Sequence, residues 1–370
     1  MAKINKFDLK KMKFDPLNPE MILQSDVYSK DGTPLAKKGT VIDETNYRRL
    51  LRHGVSVVDI YEIEMDVDVA ASKPKLVQTN TISPEKAKEF AGFRKEYEKK
   101  EKEVEECLAA IGSGAAIDLE KTFELTGGIL DKIENKNDVF LYLDFMKEFD
   151  DHTFSHCNNV SLLCNVFGGW IGFNEEELKR ITVAGILHDV GKTKIPLEIL
   201  NKPGKFTADE YKIMQQHTTY GYQMLKPQAI PEEMKLSALM HHEKIDGTGY
   251  PMGIKGDKIN KFSKIVAICD IYDAMTAKRS YHEKMCPFDV IHTFETGLYG
   301  ALDTEMLLIF LSNIAKNYVG CWGVMSDGGE AEVLFINQKA LSRPIVRTAA
   351  GNVINLADKR NAELKIIRLK

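Results

Sequence analysis

The chain has 370 residues, of which 44% are hydrophobic, so it can form two or three domains with a large buried core. Its net charge of −4 argues against broad binding to nucleic acid polymers, but it is compatible with a local basic pocket for a small anion. The six cysteines are scattered, and no apolar leader or run of about 18 apolar residues occurs. We therefore expect a cytoplasmic protein with reduced thiols and no membrane insertion.

The first 65 residues predict a small α+β module. Residues 21–29 and 55–63 have strand-like patterns, and Asp43 can cap a short helix between them. We interpret His53 as a structural histidine at the end of that helix. The module holds no cluster of chemically useful side chains, so a regulatory or assembly role is expected.

Residues 66–118 predict a linker, 66–82, followed by a long connecting helix. Ser83-Pro84-Glu85 combines a cap, a proline in the first turn and an acidic residue near the positive helix end. Gly112-Ser113-Gly114 ends the helical pattern. The apolar positions recur at helical spacing, so one face must pack against something. Because this apolar face is interrupted, we favour packing within the chain over a coiled coil, but a homodimer stays open.

Residues 119–318 predict an all-helical domain, which begins with two amphipathic helices separated at 135–138. Residues 319–370 contain short β-rich runs at 333–336, 345–348, 353–356 and 365–369, which Asp327-Gly328-Gly329 and Ala350-Gly351-Asn352 punctuate. The predicted fold class is therefore mainly α, with a helical catalytic domain between a small N-terminal α+β module and a short C-terminal β-rich extension.

Histidines and aspartates are concentrated in the helical domain, where seven of the nine histidines lie between residues 152 and 282. His188-Asp189 ends an apolar run, and His241-His242 follows another. An adjacent imidazole and carboxylate offer two kinds of ligand, and the carboxylate can bridge two cations. Neighbouring helix positions point about 100° apart, so His241 and His242 suit different ions. The pattern predicts a multinuclear metal site.

The ordered motifs resemble the HD-GYP branch of the HD-domain metal phosphohydrolases, over about residues 120–318. A lone His-Asp dipeptide would be weak evidence, but the whole ordered set is specific. The matching segments are His188-Asp189-Val190-Gly191-Lys192, Lys202-Pro203-Gly204, His217, residues 241–251, Asp270-Ile271-Tyr272-Asp273 and Thr276-Ala277-Lys278-Arg279. By this resemblance the metal ligands are His156, His188, Asp189, His217, His241, His242 and Asp270.

The resemblance implies two or three transition-metal ions, with iron or manganese preferred. A mixed set of imidazoles and carboxylates suits such cations better than it suits Mg²⁺ or Ca²⁺. His152, four residues before His156, stands where some family members thought to hold a third metal have a glutamate. His152 is therefore either a third-metal ligand or a histidine beside the site, and the metal count stays open.

The resemblance also implies the remaining site residues. Asp189 and Lys192 are the predicted catalytic pair. Substrate binding is assigned to Lys192, Tyr250, Arg279 and His282, the last of which replaces a family lysine. Loop and supporting positions are Asp246, Gly247, Gly249, Pro251 and Asp273. Tyr250 can alternatively be a core aromatic on a rigid turn.

By resemblance, the protein is a bacterial phosphodiesterase that hydrolyses cyclic di-GMP to linear pGpG, with further cleavage to GMP left open. The implied mechanism is attack on phosphorus by hydroxide held between two metal ions. Two alternatives stay open: an HD-domain hydrolase of another nucleotide, such as cyclic GMP-AMP, and a catalytically silent cyclic-dinucleotide sensor. Every predicted ligand position is filled, which favours an enzyme over a sensor.

Overall fold

The computed structural model describes residues 3–8, 21–23, 25–29, 34–37, 41–42, 50, 55, 57–62, 84–146, 155–276 and 285–369. Within these residues the protein is mainly helical, with short strands near the N-terminus and a β-sheet near the C-terminus, so the predicted fold class is confirmed. Several predictions fall outside the described residues. They concern Asp43, His53, the linker 66–82, His152, Arg279 and His282.

The chain divides into two compact units. The helical unit comprises Ile82–Met285 and Ala301–Asp303. The mixed unit comprises Met1–Thr81, Cys286–Gly300 and Thr304–Lys370. The domain boundaries expected from the sequence, after residues 65, 118 and 318, stay predictions.

The described part of the helical unit is a succession of helices joined by short turns. Its helices are α1 (Pro84–Gly112), α2 (Leu119–Leu130), α3 (Val139–Met146), α4 (Ser155–Trp170), α5 (Glu175–Leu187), α6 (Leu197–Leu200), α7 (Ala208–Leu225), α8 (Glu232–Met240) and α9 (Lys261–Thr276). Short 3₁₀ turns cover Lys136–Asp138, Val190–Lys194 and Gly256–Lys258. None of the helices in the described part of the chain is long and apolar enough to cross a membrane.

The long helix α1 packs within its own unit. Its apolar face, which includes Phe93, Tyr97, Val104 and Leu108, is buried. This face contacts α2, α3, α4 and the 3₁₀ turn Val190–Lys194. Removing these side chains from water stabilises the contact, at about 25 cal/mol per Å² of apolar surface. The predicted packing within the chain is therefore confirmed.

Helices α4 and α5 approach each other closely because α5 carries a glycine at the contact. A Cβ atom at Gly185 would lie 2.6 Å from Cα of Ser161. Helix α5 begins at a capping box in which Asn174 and Glu177 bind each other's backbone N–H groups. Its second half is fully buried and ends at His188, as the apolar run predicts. The packing of α4 on α5 thus fixes the start of the His-Asp motif.

Helix α7 begins where the sequence predicts. The side chain of Thr207 accepts a hydrogen bond from the Glu210 N–H, and Glu210 binds the Thr207 N–H in return. This capping box satisfies two N–H groups that the helix leaves without intrahelical partners. The box sets the register of α7 and hence the position of His217 on it.

The described part of the mixed unit includes two complete helices and several antiparallel strand pairs. Its helices are α10 (Pro287–Gly297) and α11 (Thr304–Asn317). Its strands are β1 (Lys3–Asp8), β2 (Met21–Ile22), β3 (Val27–Tyr28), β4 (Pro34–Ala36), β5 (Val41–Ile42), β6 (Val57–Glu62), β7 (Trp322–Met325), β8 (Glu330–Phe335), β9 (Ile345–Thr348), β10 (Val353–Asn355) and β11 (Ile366–Leu369).

The C-terminal β-rich extension is a five-stranded antiparallel sheet with the order β10-β9-β8-β7-β11. Strands β1 and β6, β2 and β5, and β3 and β4 form separate antiparallel pairs. The sequence patterns predicted strands that correspond to β8, β9, β10 and β11 but missed β7. Strand β7 contains Gly323, where a Cβ atom would lie 2.7 Å from the Ile366 side chain, so close packing overrides the weak strand propensity of glycine.

Candidate metal centre

Five helices bring the predicted ligands together. His188 is the C-terminal cap residue of α5, and Asp189 follows it. His241 caps α8, with His242 next to it in the chain. The other ligands lie on helices: His156 in the first turn of α4, His217 on α7 and Asp270 on α9. All seven ligands that the resemblance implies therefore lie in one cluster.

The cluster contains two groups that can each hold a metal ion. The histidine group is His217, His241 and His242, and the carboxylate group is His156, His188 and Asp270. The ligand atoms within each group lie within 4.8 Å of one another. A third combination, His188, Asp189 and His241, joins the two groups. His241 and His242 can therefore reach one shared ion, and their assignment to different ions stays a prediction.

Four of the histidines have one ring nitrogen held by a group outside the cluster. Backbone carbonyls accept from Nδ1 of His188, His217 and His241 at 2.7, 2.7 and 3.0 Å. In His156, Nδ1 is 2.7 Å from Oδ2 of Asp273. A carbonyl can only accept, so Nδ1 of the first three rings carries the hydrogen and Nε2 is bare in the neutral ring. This is the ring orientation that metal-binding histidines have in proteins.

The ring nitrogens without hydrogen face other acceptors, an arrangement that a cation or a bound water molecule would satisfy. Nε2 of His217 and Nε2 of His241 are 3.3 Å apart. Nε2 of His188 and Oδ1 of Asp189 are buried and make no hydrogen bond. Buried polar atoms without partners are rare and usually indicate a bound ion or water. Imidazole nitrogens and carboxylate oxygens are ligands for transition metals such as iron and manganese, so the residues present fit a metal centre.

Asp189 lies at the middle of the cluster and is ionised. Its Oδ2 is 3.3 Å from Nε2 of His188, and its Oδ1 is 3.3 Å from Nε2 of His217. Burial would raise the pKa of Asp189, but Lys192 and His188 outweigh it and hold the pKa well below its usual range. Lys192 forms an ion pair with Oδ2 of Asp189 while its side chain stays 36% exposed. A carboxylate in this position can contact ions in both groups.

The pKa values of the histidine group and of His156 are shifted in opposite directions. In the histidine group, burial lowers the pKa of His217 and His241, and it lowers that of His242 to about 4. For His156, burial would also lower the pKa, but hydrogen bonds to Asp270 and Asp273 raise it to about 9. Without metal, the histidine group is neutral at pH 7 and His156 carries a proton.

Tyr250 stands over the histidine group. Its ring stacks on that of His242, with centroids 4.7 Å apart and an interplanar angle of 26°. Asp246 shapes the preceding turn by accepting hydrogen bonds from the Thr248 backbone and hydroxyl. Gly247 has a positive φ of 82°, which favours glycine. The peptide bond between Tyr250 and Pro251 is cis. Tyr250 therefore lies at the centre and not in a separate core.

Glu243, which was not among the predicted site residues, holds this loop in place through hydrogen bonds. Its buried carboxylate accepts hydrogen bonds from the N–H groups of Met252, Gly253 and Ile254 at 2.7, 3.2 and 3.1 Å. A Cβ atom at Gly249 would lie 2.5 Å from Cα of Glu243, so the loop folds tightly back on this residue. An acidic residue directly after the His-His pair was the available signal.

Gly191 lies where the 3₁₀ turn Val190–Lys194 meets helix α7. A Cβ atom at Gly191 would lie 1.9 Å from the backbone oxygen of His217 and 2.4 Å from the N of Gly221. The glycine is therefore required for contact between the 3₁₀ turn and helix α7, which brings Asp189 close to His217.

Comparison with known proteins identifies the domain that holds this centre. The family model that matches describes an HD domain and covers residues 144–295. Over 240 residues the chain is 30% identical to a cyclic di-GMP phosphodiesterase from Pseudomonas aeruginosa, a match that covers 63% of this chain and 56% of the relative. Over 170 residues it is 36% identical to a 3'3'-cGAMP-specific phosphodiesterase from Vibrio cholerae, which covers 45% of this chain and 39% of the relative.

Among solved structures, an HDG"Y"P protein from Bdellovibrio bacteriovorus matches 83% of this chain and 98% of its own, with a TM-score of 0.48 and 13% identity. The chain spans less than two thirds of the length of the two relatives above. The matched HD domain contains the predicted His-Asp motif and the loop at residues 246–251. The matched region is therefore an HD domain, and its motifs and the two relatives support the HD-GYP branch of that family.

Proposed function

We propose that the protein is a metal-dependent phosphodiesterase that hydrolyses a cyclic dinucleotide, with cyclic di-GMP as the substrate. The main support for this function comes from imidazole nitrogens that carry no hydrogen and face other acceptor atoms at the centre of the cluster. Nε2 of His217 faces Nε2 of His241, and Nε2 of His188 lies beside the carboxylate of Asp189. Bound metal cations would satisfy such a set, and it lies within an HD domain.

Seven residues would hold two or three ions of iron or manganese. They are His156, His188, Asp189, His217, His241, His242 and Asp270. When bound, such ions supply positive charge to a phosphate oxygen and lower the pKa of water, which together favour attack on phosphorus. The predicted third-metal ligand, His152, lies outside the described residues, so a dinuclear and a trinuclear centre both fit.

Lys192 supplies a partly exposed positive charge beside Asp189. Burial would lower the pKa of Lys192, but its pairing with Asp189 raises the pKa, so the ammonium group stays protonated. Hydrolysis joins the oxygen of water to phosphorus and breaks the bond between phosphorus and the 3′ oxygen, which must gain a proton. Lys192 is suited to bind a non-bridging oxygen or to donate to the leaving oxygen. The product is the linear dinucleotide, and a second cleavage gives mononucleotides.

Aromatic rings above the histidine group suit a nucleobase. Tyr250 is joined by Tyr211, whose ring centroid is 6.2 Å away and whose side chain is exposed. An aromatic face can stack on any base at about 1–3 kcal/mol, so this contact does not separate guanine from adenine. Arg279 and His282 remain proposed phosphate contacts. The name of the Vibrio cholerae relative makes 3'3'-cGAMP the second candidate substrate.

We propose that the protein acts in the bacterial cytoplasm, where its partner is a cyclic dinucleotide and not a nucleic acid polymer.

The test uses the full chain, freed of metal with EDTA and reloaded under anaerobic conditions with Fe²⁺ or Mn²⁺. Each sample is incubated with cyclic di-GMP or 3'3'-cGAMP, and the products are separated by chromatography. We expect a linear dinucleotide only after reloading, formed faster from cyclic di-GMP.

Faster turnover of 3'3'-cGAMP would reassign the substrate. Binding of either cyclic dinucleotide without turnover in the reloaded protein would contradict an enzyme and favour a sensor. Turnover that survives EDTA would contradict the metal centre itself.

A further inference from the structure

Behind His156 a series of hydrogen bonds leads to the long helix α1. Nδ1 of His156 is 2.7 Å from Oδ2 of Asp273. The other oxygen of Asp273 accepts from Nδ2 of Asn159 at 3.0 Å. Oδ1 of Asn159 in turn accepts from the hydroxyl of Tyr97 at 2.5 Å. The series joins three helices, α4, α9 and α1, and ends 62 residues before Asn159 in the chain.

The series is almost completely removed from water. Tyr97, Asn159 and Asp273 are 3%, 4% and 2% exposed. In such surroundings a lost hydrogen bond is not replaced by solvent, so each group depends on the next one. A carboxylate can only accept, so Asn159 must direct its NH₂ group towards Asp273 and its carbonyl oxygen away from it. The donor that satisfies this carbonyl oxygen is the hydroxyl of Tyr97.

We propose that Tyr97 is a positioning residue for the metal centre. Its hydroxyl fixes the amide of Asn159, which holds the carboxylate of Asp273 in the plane that His156 requires. Asp273 then fixes the ring of His156 with Nε2 directed at the cluster, where it lies 3.1 Å from Oδ1 of Asp270. This inference rests on the proposed metal centre and is independent of which cyclic dinucleotide is the substrate.

The chain offers a matched control for Tyr97. Tyr142 is also a buried tyrosine, and both rings contact Phe93, with centroid distances of 5.8 Å for Tyr97 and 5.4 Å for Tyr142. The Tyr142 hydroxyl donates to Glu89 of α1 at 2.9 Å, away from the series behind His156. Tyr97→Phe and Tyr142→Phe therefore each remove one hydroxyl from the same aromatic cluster, but only the first touches the series.

The experiment is a titration of the metal-free full chain with Co²⁺, monitored by visible absorption. Partners of metal-binding histidines typically contribute about 10–100-fold to metal affinity. Tyr97 is two hydrogen bonds further from the metal than Asp273, the direct partner of His156. We therefore expect Tyr97→Phe to weaken one Co²⁺ site by ~3–10-fold and to shift its absorption bands. Tyr142→Phe should match the wild-type protein. Asp273→Asn should weaken the same site by ~10–100-fold, and adding Tyr97→Phe to it should have no further effect.

Three results would overturn the positioning role. They are a folded Tyr97→Phe variant that binds Co²⁺ as the wild-type protein does, equal weakening by Tyr97→Phe and Tyr142→Phe, and full additivity of Tyr97→Phe with Asp273→Asn. Thermal unfolding of each metal-free variant separates lost stability from lost affinity. A wild-type protein that binds Co²⁺ but hydrolyses no cyclic dinucleotide would contradict the proposed function and leave this inference standing.

Discussion

The two ligand groups of the centre are built from different chemistry. In the histidine group, Nδ1 of His217 and of His241 donates to a carbonyl of the residue's own helix, and burial keeps all three imidazoles neutral. In the carboxylate group, His156 lies between Asp270 and Asp273, which raise its pKa to about 9. One group presents bare nitrogens at neutral pH, and the other presents a protonated ring beside an anion.

The difference indicates how each group would take up a metal ion. An ion entering the histidine group displaces no proton, because the rings are already neutral. An ion entering the carboxylate group must displace the proton of His156. In the metal-free protein this proton supplies the positive charge that the ion would replace. We infer that the histidine group sets the affinity that is independent of pH, and that the carboxylate group makes the loaded centre sensitive to pH.

The largest effect is expected at Asp189, the residue that contacts both groups. Asp189→Asn keeps the shape of the side chain but removes the charge that can bridge two ions. Because Asp189 is itself a proposed ligand, turnover should fall by more than the ~100-fold typical of groups one step further out. Steady-state kinetics and metal analysis of the purified variant measure this. Asp209→Asn, at an exposed acid on α7, is the control. Normal turnover by Asp189→Asn would refute the bridging role.

The next effect is the pH dependence of metal binding. Since His156 holds its proton up to about pH 9, the affinity of the carboxylate group for Mn²⁺ should rise ~10-fold per pH unit between about 6.5 and 9. The affinity of the histidine group should be constant over this range. Free Mn²⁺ measured by electron paramagnetic resonance during titrations at several pH values tests both statements. Two sites with the same pH dependence would remove the distinction between the groups.

The stability of the metal-free protein should reflect both groups, with opposite signs. A folded pKa raised to about 9 means that the contribution of His156 is complete below 6.5 and is lost as the pH rises through 9, at most about 3 kcal/mol. His242, whose pKa is lowered to about 4, opposes folding as the pH falls from 6.5 towards 4. The free energy of unfolding should therefore peak near pH 6.5.

Denaturant unfolding in EDTA between pH 5 and 9 measures this profile. In His156→Gln the decrease on the alkaline side should disappear, while the decrease on the acid side should remain. A profile that stays flat up to pH 9 in the wild-type protein would show that His156 is not held as a cation.

Much of the fold follows from local patterns in the sequence. The cap and proline at Ser83-Pro84 predict the start of α1, and the capping box at Thr207 predicts the start of α7. These signals are reliable because a helix end must satisfy its own N–H groups with nearby residues. Strand β7 was missed because it contains a glycine and its partners β8 and β11 are not evident from its own residues.

The site was predictable as a set of residue types but not as a geometry. The order of histidines and aspartates indicates a metal centre through its resemblance to a family, yet the sequence does not show which ligands share an ion. The roles of Glu243 and Asn159 also escaped prediction. Glu243 binds backbone N–H groups 9 to 11 residues away, and Asn159 joins residues 62 and 114 positions distant. Such partners become visible only when the helices are packed.

The smallest effect is expected at Glu243, which ties the histidine group to the substrate side of the centre. Glu243→Gln keeps one acceptor oxygen but loses the charge and the second oxygen, so the three N–H groups of residues 252–254 are held less well. A loss of about 1 kcal/mol in loop ordering corresponds to a ~5-fold rise in KM for the cyclic dinucleotide. Metal affinity and its pH dependence should not change, because Glu243 binds the loop backbone. Kinetics and Mn²⁺ titration of the same sample separate these outcomes. If Glu243→Gln lost metal instead, the loop that carries Tyr250 would be needed for metal binding by the histidine group. The two groups could then not be treated as independent of the substrate loop.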